Sequence, residues 1–233
     1  MLSQLDIKRI NALKIKKYRT KYSEFIAEGD KIIKELIDEG LEVVHIYAVN
    51  DVFNHERCKV VTEKELNKIT ALQSHHNSLA VFKLPAKKMQ ISTDEWILLL
   101  DDIQDPGNMG TIIRTCDWFG INKIICSDGC VDVYNPKVVQ ATMASVGRIQ
   151  VTEADLEKII SENNLPVYGA VLNGKNYHEQ SFTKKGFILI GNEGHGINKD
   201  LQNKITFPIT IPKTGKAESL NAAIATALIL DKL

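Results

Sequence analysis

The chain has 233 residues, 44% of them hydrophobic and 25% charged, and its 29 basic residues balance its 29 acidic residues. This composition is typical of a globular protein with one large domain, or with one large and one small domain. Because there is no run of about 18 apolar residues and no apolar N-terminal core, we expect neither a membrane span nor a secretory signal, but a cytoplasmic protein.

The first 85 residues are predicted to form a small α/β domain. Residues 1–40 have a helical pattern, in which apolar side chains between Glu28 and Ile37 form one stripe and Gly40 ends the helix. The elements that follow are a β-branched strand at Val43–Val49, a short helix with a capping box of Thr62 and Glu65, and a strand at Ser78–Leu84. The polar stretch at residues 86–95 is predicted to be a linker.

The N-terminal segment is strongly basic in a chain without net charge. Residues 1–21 contain seven lysine and arginine residues and only one carboxylate, that of Asp6. Such a segment suits the phosphates of a nucleic acid, which it would bind with release of counterions. A solvated helix face is an equally good interpretation, and the net charge of zero argues weakly against a nucleic-acid partner.

Residues 96–233 alternate between strand and helix patterns. Trp96–Asp101 is a continuous apolar run, typical of a strand covered on both faces. Further strands are predicted at Lys123–Ser127, Arg148–Val151, Pro166–Val171, Phe187–Gly191 and Ile205–Ile211. Helices are predicted at Thr111–Phe119, at Asn135–Val146, at Thr152–Asn164 with Thr152 as cap, and at the C-terminus with Ser219 as cap. This alternation predicts an α/β fold, a parallel sheet with helices on both faces.

Three polar, glycine-bearing segments directly follow strands: Asp101–Gly120, Ile190–Ile197 and Ile211–Ala223. Ligands of open α/β sheets bind at the carboxyl ends of the strands, so we expect the functional site there. The segments lack the usual nucleotide fingerprints, because GNEGHG differs from G-x-G-x-x-G and Ala217 stands where a Walker A loop requires a hydroxyl. A nucleotide-cofactor dehydrogenase is therefore not expected.

The four cysteines, Cys58, Cys116, Cys126 and Cys130, do not predict a disulfide framework in a chain of this size. Cys126 and Cys130 are spaced C-x3-C, but no second pair with metal-ligand spacing follows. We therefore expect free thiols and no metal site.

The three segments carry motifs in a specific order. The first reads D-P-x-N-x-G-x3-R-x5-G from Asp105 to Gly120, the second reads G-N-E-G-H-G from Gly191 to Gly196, and the third has I-P at Ile211 and E-S-L-N ending at Asn221. Together they resemble the SpoU (TrmH-like) family of S-adenosylmethionine-dependent RNA 2′-O-ribose methyltransferases, within the SPOUT class. Tyr134–Lys137 and Phe25–Ile37 also resemble family stretches, the latter at the start of its small substrate-binding domain.

The resemblance implies a fold, a cofactor and partners. The fold is a SPOUT-type parallel sheet over residues 96–233 with a C-terminal trefoil knot, preceded by a small α/β RNA substrate-binding domain over residues 1–85. S-adenosylmethionine is the methyl donor, the substrate is ribosomal or transfer RNA with ribosomal RNA slightly favoured, and the family works as a homodimer with its active site near the subunit interface. Gln140 and Ala144 stand where family members often have arginine and glycine, so the chain departs from the family near its substrate contacts.

The resemblance also assigns roles to residues. Donor contacts are expected from Gly191, Asn192, Gly194, Ile211, Pro212 and Leu220. Catalytic roles are expected for Arg114, Asn108, Glu193, Ser219 and Asn221. A guanidinium is a poor base because it keeps its proton above about pH 12, so we expect Arg114 to hold an RNA phosphate and to stabilise the forming alkoxide.

Plainer interpretations remain for several of these residues. Asn108 and Ser219 are good helix N-caps, Glu193 is a candidate for an exposed loop charge, and Ile211 and Leu220 are candidates for core packing. Two other functions also stay open, namely an RNA-binding module of the same fold without turnover and a SPOUT enzyme that methylates a base.

Overall fold

A computed structural model describes residues 2–72, 76–85, 90–92 and 94–233. Its strands are β1 (Glu24–Glu28), β2 (Val43–Ala48), β3 (Cys58–Val60), β4 (Ser78–Lys83), β5 (Trp96–Leu100), β6 (Lys123–Cys126), β7 (Gln150–Glu153), β8 (Val167–Asn176), β9 (Gly186–Ile190) and β10 (Phe207–Thr210). Its α-helices are α1 (Gln4–Ala12), α2 (Lys16–Tyr22), α3 (Asp30–Asp38), α4 (Glu63–Leu66), α5 (Pro106–Phe119), α6 (Pro136–Thr142), α7 (Leu156–Glu162), α8 (Lys199–Gln202) and α9 (Ala222–Leu230).

The chain divides into two compact units. The first consists of Met1–Lys87 with Asp132–Arg148, and the second consists of Lys88–Val131 with Ile149–Leu233. Part of the linker expected at residues 86–95, namely residues 86–89 and 93, lies outside the described residues. In the part of the chain that is described, no helix is long and apolar enough to cross a membrane.

The first unit is built on a four-stranded sheet with the order β1-β4-β2-β3. The strand β1 corrects the helical prediction for residues 1–40, because Glu24–Glu28 is extended and pairs antiparallel with β4. Its side chains are buried on both faces of the sheet. The sequence of β1 therefore lacks the alternation of apolar and polar residues that marks a strand with one exposed face. The predicted strands at Val43–Val49 and Ser78–Leu84 and the capping box of Thr62 are present.

The segment Asp132–Arg148 packs into the first unit, although it follows β6 of the second unit in sequence. Val139, Ala144 and Val146 are buried in the same apolar cluster as Phe25 and Phe82. This packing differs from the domain bounds expected from the sequence, which took residues 96–233 as one domain. Those bounds came from the alternation of strand and helix patterns. Such a pattern gives the order of elements along the chain, but it does not show against which hydrophobic core a helix packs.

A buried ion pair ties this segment to α2. Arg19 is only 3% exposed, and its Nε and Nη2 donate to Oδ2 of Asp132 at 2.7 and 2.5 Å. Its Nη1 donates to the carbonyl of Leu13 at 2.8 Å. Because the guanidinium is removed from water, it needs all of these partners.

The helix predicted at Asn135–Val146 ends early, at Thr142. Met143 and Ala144 have φ values of 49° and 73°, in the left-handed region that disfavours residues with a Cβ atom. Glycine adopts such angles without strain, so the structure explains why glycine suits the position of Ala144. A 3₁₀ turn at Ser145–Gly147 follows.

The second unit is built on a six-stranded parallel sheet with the order β10-β8-β9-β5-β6-β7. This confirms the predicted parallel α/β architecture. The register of β8 and β10 shifts between Pro208 and Ile209, and a Cβ atom at Gly174 would lie 2.6 Å from the backbone of both residues. Gly174 therefore permits an unusually close approach of the two strands.

Candidate functional site

The first two motifs meet at the carboxyl ends of β5 and β9. Leu100 pairs with Ile190, so the segments that follow these strands begin side by side. The buried carboxylate of Asp101 accepts a hydrogen bond from the backbone N–H of Asn198 at 2.7 Å. In the same direction, from the segment after β9 to the segment after β5, Nδ2 of Asn192 donates to the carbonyl of Asp102 at 2.8 Å. Sequence reasoning missed Asp101 and Asp102 as loop anchors, although both directly follow a buried strand.

The second motif forms a tight turn organised by Asn192. The backbones of Asn192 and Gly196 exchange hydrogen bonds of 3.0 and 2.8 Å, and Oδ1 of Asn192 accepts from the backbone N–H of Gly194 at 2.7 Å. A Cβ atom at Gly191 would lie 2.4 Å from the backbone of Gly196 and Ile197, so only glycine fits there. The motif therefore has its glycine at position 191 for a steric reason within the loop.

A hydrogen-bonded cluster joins all three motifs. Nδ2 of Asn221 donates to Oδ1 of Asn108 at 2.9 Å, and Nδ2 of Asn108 donates to Oε1 of Glu193 at 2.5 Å. The same Glu193 oxygen accepts from the backbone N–H of Ala222 at 3.1 Å. Asn108, Glu193 and Asn221, which lie far apart in sequence, are thus brought together, and Glu193 is the carboxylate on which the cluster converges.

The helix caps differ from the sequence expectation. α5 begins at Pro106 and is capped by Asp105, whose Oδ1 accepts from the backbone N–H of Asn108 at 2.8 Å, so the capping interpretation of Asn108 is wrong.

α9 is capped by Asn221, whose Oδ1 accepts from the N–H groups of Ala223 and Ile224. The prediction of Ser219 as that cap is wrong, because α9 starts two residues further on and Ser219 is exposed. Likewise α7 is capped by Asp155 and not by Thr152, which lies in β7.

Arg114 stands apart from this cluster. It lies on α5 six residues after Asn108, which is about 9 Å along the helix axis, and it is exposed. Within the described residues its side chain forms neither a hydrogen bond nor an ion pair. Trp118, one turn further along the same helix, is 85% exposed. The arrangement leaves Arg114 free to contact a molecule outside the chain.

The third motif presents apolar groups and backbone to solvent. Residues 211–220 have neither helix nor strand structure, Leu220 is 43% exposed, Ile211 is half-buried and Pro212 is exposed. Exposed apolar side chains beside a glycine-bearing loop suit a flat ring such as adenine, and the loop backbone offers hydrogen-bonding groups for its edge. The core-packing interpretation of Ile211 and Leu220 thus applies only in part, and these residues fit an S-adenosylmethionine site.

An acidic cavity of about 680 Å³ lies beside the second motif, within the second unit. Asp101, Asp102 and His195 line it, together with Asp128, Glu153, Asp155, Glu157 and Asp200. So many carboxylates repel phosphate, so an RNA backbone is not expected in this cavity. Among the described residues, no group of three or more histidine, cysteine, aspartate and glutamate side chains is placed to hold a metal ion.

A buried thiol supports the backbone just before the first motif. Sγ of Cys130 accepts a hydrogen bond from the backbone N–H of Ile103 at 3.2 Å. The hydrogen bond with Cys126 lowers the pKa of Cys130 to about 7 and, together with burial, raises the pKa of Cys126. Both cysteines are free thiols, as is Cys116.

Comparison with known proteins places this geometry in a family. Residues 95–231 match the model of the SpoU rRNA Methylase family, and residues 5–81 match the model of an MRM3-like substrate binding domain. The 23S rRNA (guanosine(2553)-2′-O)-methyltransferase RlmP of Bacillus subtilis is 31% identical to this chain, and the match covers 96% of this chain and 94% of RlmP.

Two solved structures have the same fold over the whole chain. A TrmH-family protein from Porphyromonas gingivalis has a TM-score of 0.90 at 33% identity, covering 100% of this chain and 98% of its own. An AdoMet-bound rRNA methyltransferase from Sinorhizobium meliloti has a TM-score of 0.88 at 29% identity, covering 100% and 95%. Because the first family model matches more than half of the sequence, the chain belongs to the SpoU rRNA methylase family, as its three motifs predicted.

Proposed function

We propose that this SpoU-family enzyme transfers a methyl group from S-adenosylmethionine to a ribose 2′-hydroxyl of ribosomal RNA. The observation that carries the proposal is the cluster of Asn108, Glu193 and Asn221, which joins all three family motifs at one edge of the parallel sheet. The Bacillus subtilis relative is named as a 23S rRNA 2′-O-methyltransferase, which supports ribosomal RNA over transfer RNA. The expected cytoplasmic location remains a prediction.

The donor is assigned to the surface between the second and third motifs. The bound donor supplies a methyl group on a positively charged sulfur, which needs only an acceptor oxygen placed in line with it. Gly191, Asn192 and Gly194 hold one side of this site through a turn without side-chain bulk, and Ile211, Pro212 and Leu220 hold the other. Methyl transfer then depends on positioning in a dry site, with the acceptor about 3 Å from the methyl carbon.

The polar residues are assigned to the acceptor side. Glu193 is held by two donors, so its second carboxylate oxygen has a fixed direction in which to accept a hydrogen bond from the ribose 2′-hydroxyl and to take up its proton as the methyl group is transferred. Asn108 orients Glu193 and is itself oriented by Asn221, so both are positioning residues. Arg114 holds an RNA phosphate and stabilises the forming alkoxide, and the exposed hydroxyl of Ser219 contacts the substrate beside the donor.

Replacement of Asn221 is expected to separate its two roles. Asn221→Ala removes the cap of α9, which costs about 1 kcal/mol of the free energy of unfolding, and also removes the hydrogen bond to Asn108. Asn221→Ser keeps a capping oxygen but cannot span to Asn108. We therefore expect Asn221→Ala to lower both the midpoint of urea unfolding and kcat, and Asn221→Ser to lower kcat alone. Full activity in the serine variant would show that the link to Asn108 does not position Glu193.

The active form is proposed to be a homodimer that pairs through the exposed face of α5 and α9. Trp118, Ile224 and Leu228 on this face are 85%, 52% and 36% exposed, and an apolar groove of about 360 Å³ runs between the two helices. Apolar exposure of this kind marks protein interfaces. Pairing would bury Trp118 and bring Arg114 to the subunit interface, where the family resemblance expects the active site.

Trp118→Glu is expected to convert the protein to a monomer, because a carboxylate cannot be buried in an apolar interface without a partner. The mass in solution, measured by light scattering after size exclusion, checks this. Leu172→Glu is the matched control, since Leu172 is also exposed but lies on β8. Dissociation of both variants, or of neither, would contradict pairing through this face.

The trefoil knot implied by the family remains part of the proposal. It is supported by the position of β10 beside β8 and by the close approach at Gly174. The described strands are consistent with a chain end that passes through a loop of the same unit.

Ribose-methylation mapping tests the proposed function directly. Total RNA from cells that lack this gene is incubated with the protein and labelled S-adenosylmethionine, digested with nucleases and analysed by mass spectrometry. We expect one 2′-O-methylated nucleotide, located in ribosomal RNA. A methyl group on a base would identify a base-methylating enzyme, and donor binding by calorimetry without transfer to any RNA would identify a binding module.

A further inference from the structure

The short helix α2 is the most basic element of the first unit. Its sequence KKYRTKY contains three lysines and one arginine and no acidic residue. Sequence alone left two interpretations open for this stretch, RNA contact and a solvated helix face. The side-chain environments of the seven N-terminal cations decide which of them are available to a partner.

Arg9, Lys14 and Arg19, three of these cations, have identified partners among the described residues. Arg19 is buried against Asp132, and Arg9 forms an ion pair with the fully buried Glu24 at 2.8 Å. Nζ of Lys14 donates to the carbonyl of Thr70 at 2.6 Å. The charges of Arg9 and Arg19 are therefore compensated by carboxylates, and the ammonium group of Lys14 is used in a hydrogen bond to the backbone.

The lysines of α2 are in a different environment. Lys17 and Lys21 are exposed, and neither forms an ion pair with any of the described residues. They are four positions apart and so lie on the same side of the helix, and Lys16 and Thr20 continue that side. The opposite side carries the buried Arg19, and Tyr22 lies half-buried at the edge between the two sides. We call the exposed side, formed by Lys16, Lys17, Thr20 and Lys21, the lysine face.

Aromatic rings border the lysine face. Tyr18 and Tyr22 are stacked with ring centroids 6.2 Å apart, and Nζ of Lys21 lies 5.6 Å from the ring centre of Tyr22. Neighbouring cations and aromatic rings are the groups that bind the phosphates and bases of single-stranded nucleic acid. The ion pair of Arg19 with Asp132 also fixes the helix, so the lysines project from a rigid support.

We propose that the lysine face of α2 is an RNA-docking surface, on which Lys17 and Lys21 each contact a phosphate of the substrate. This inference rests on the proposed RNA substrate and adds the surface that holds it. The partner is RNA and not an acidic protein, because the chain belongs to an rRNA methylase family and the face is flanked by stacked rings.

The test compares two matched double variants of the full-length protein. Lys17→Gln/Lys21→Gln removes both charges from the lysine face, and Lys64→Gln/Lys68→Gln removes two exposed charges of the same spacing from the acidic surroundings of α4. Binding to a 23S rRNA transcript is measured by filter retention across a series of KCl concentrations. Methyl transfer to total ribosomal RNA and the thermal unfolding midpoint are measured on the same samples.

The expected result is specific to α2. Loss of two phosphate contacts reduces the slope of log K against log [salt] by about 1.4 to 1.8 and weakens binding roughly tenfold at moderate salt. KM for RNA should rise by a similar factor, with kcat and the unfolding midpoint unchanged. The control should match the wild type. An unchanged slope in the α2 variant, or an equal loss in both variants, would overturn the docking surface while methyl transfer by the wild type continued. Absence of methyl transfer by the wild type would instead count against the proposed function.

Discussion

Arg114→Ala is expected to lower the rate of methyl transfer roughly 100- to 1000-fold while leaving donor binding intact. The side chain is exposed and, among the described residues, has no partner within the chain, so its removal should not disturb the fold. Its proposed roles are to hold an RNA phosphate and to stabilise the charge that develops on the acceptor oxygen, and neither role involves contact with the donor. Single-turnover methylation of ribosomal RNA and calorimetry with S-adenosylmethionine measure the two quantities separately.

Arg114→Lys is the companion variant. Lysine keeps the positive charge but loses the planar fork that contacts two oxygens of a phosphate at once, so an intermediate rate is expected. Unchanged methyl transfer in the alanine variant would remove Arg114 from the mechanism. Loss of donor binding would instead place it on the donor side of the site.

Arg19→Ala is expected to destabilise the first unit by about 3 kcal/mol, the lower end of the range for breaking a buried ion pair. The change leaves Oδ2 of Asp132 and the carbonyl of Leu13 without their donor, while Oδ1 of Asp132 keeps the hydrogen bond from the backbone N–H of Tyr134. The lower end applies because the side chain of Asp132 is still 17% exposed and can recruit water. Urea unfolding, followed by circular dichroism, gives the free-energy difference.

Arg148→Ala provides the matched control in the same unit. Arg148 lies 3.3 Å from Glu39 and 3.6 Å from Glu35, but its side chain is 30% exposed, so its loss should cost less than about 1 kcal/mol. If both variants lost the same stability, burial of the Arg19 pair would not be the reason for its contribution.

Much of the second unit follows from local patterns. Six segments with a strand pattern predicted six strands, and all six are present. The inner strands β5, β6 and β9 are buried almost throughout, as expected for a parallel sheet that is covered on both faces. The same rule explains the failure at β1, where Phe25, Ile26 and Ala27 are all buried and an uninterrupted apolar run looks helical beside the true helix α3. Periodicity cannot separate a short buried strand from a buried helix turn.

The cluster at the candidate site shows what motifs predict and what they leave open. Each of the three motifs directly follows a strand, and this position predicted that the motifs lie close together. It did not predict that Asn221 both caps α9 and donates a hydrogen bond to Asn108. That double role requires α9 to begin directly after Asn221. The exact first residue of a helix is set by tertiary packing, which the sequence pattern does not show. The separation of Arg114 from Asn108 follows from their spacing of six residues within one helix, but the exposure of Arg114 depends on which side of α5 packs against the sheet, and the motif does not encode that.

The way the first unit is completed restricts how this protein can be cut or recombined. A fragment that stops at the boundary between the two family models would lack Val139, Ala144 and Val146, and the apolar surface that they cover around Phe25 would face water. We expect such a fragment to aggregate. Gene fusion or shuffling that exchanges the RNA-recognition module between relatives must therefore move two separate stretches of coding sequence together.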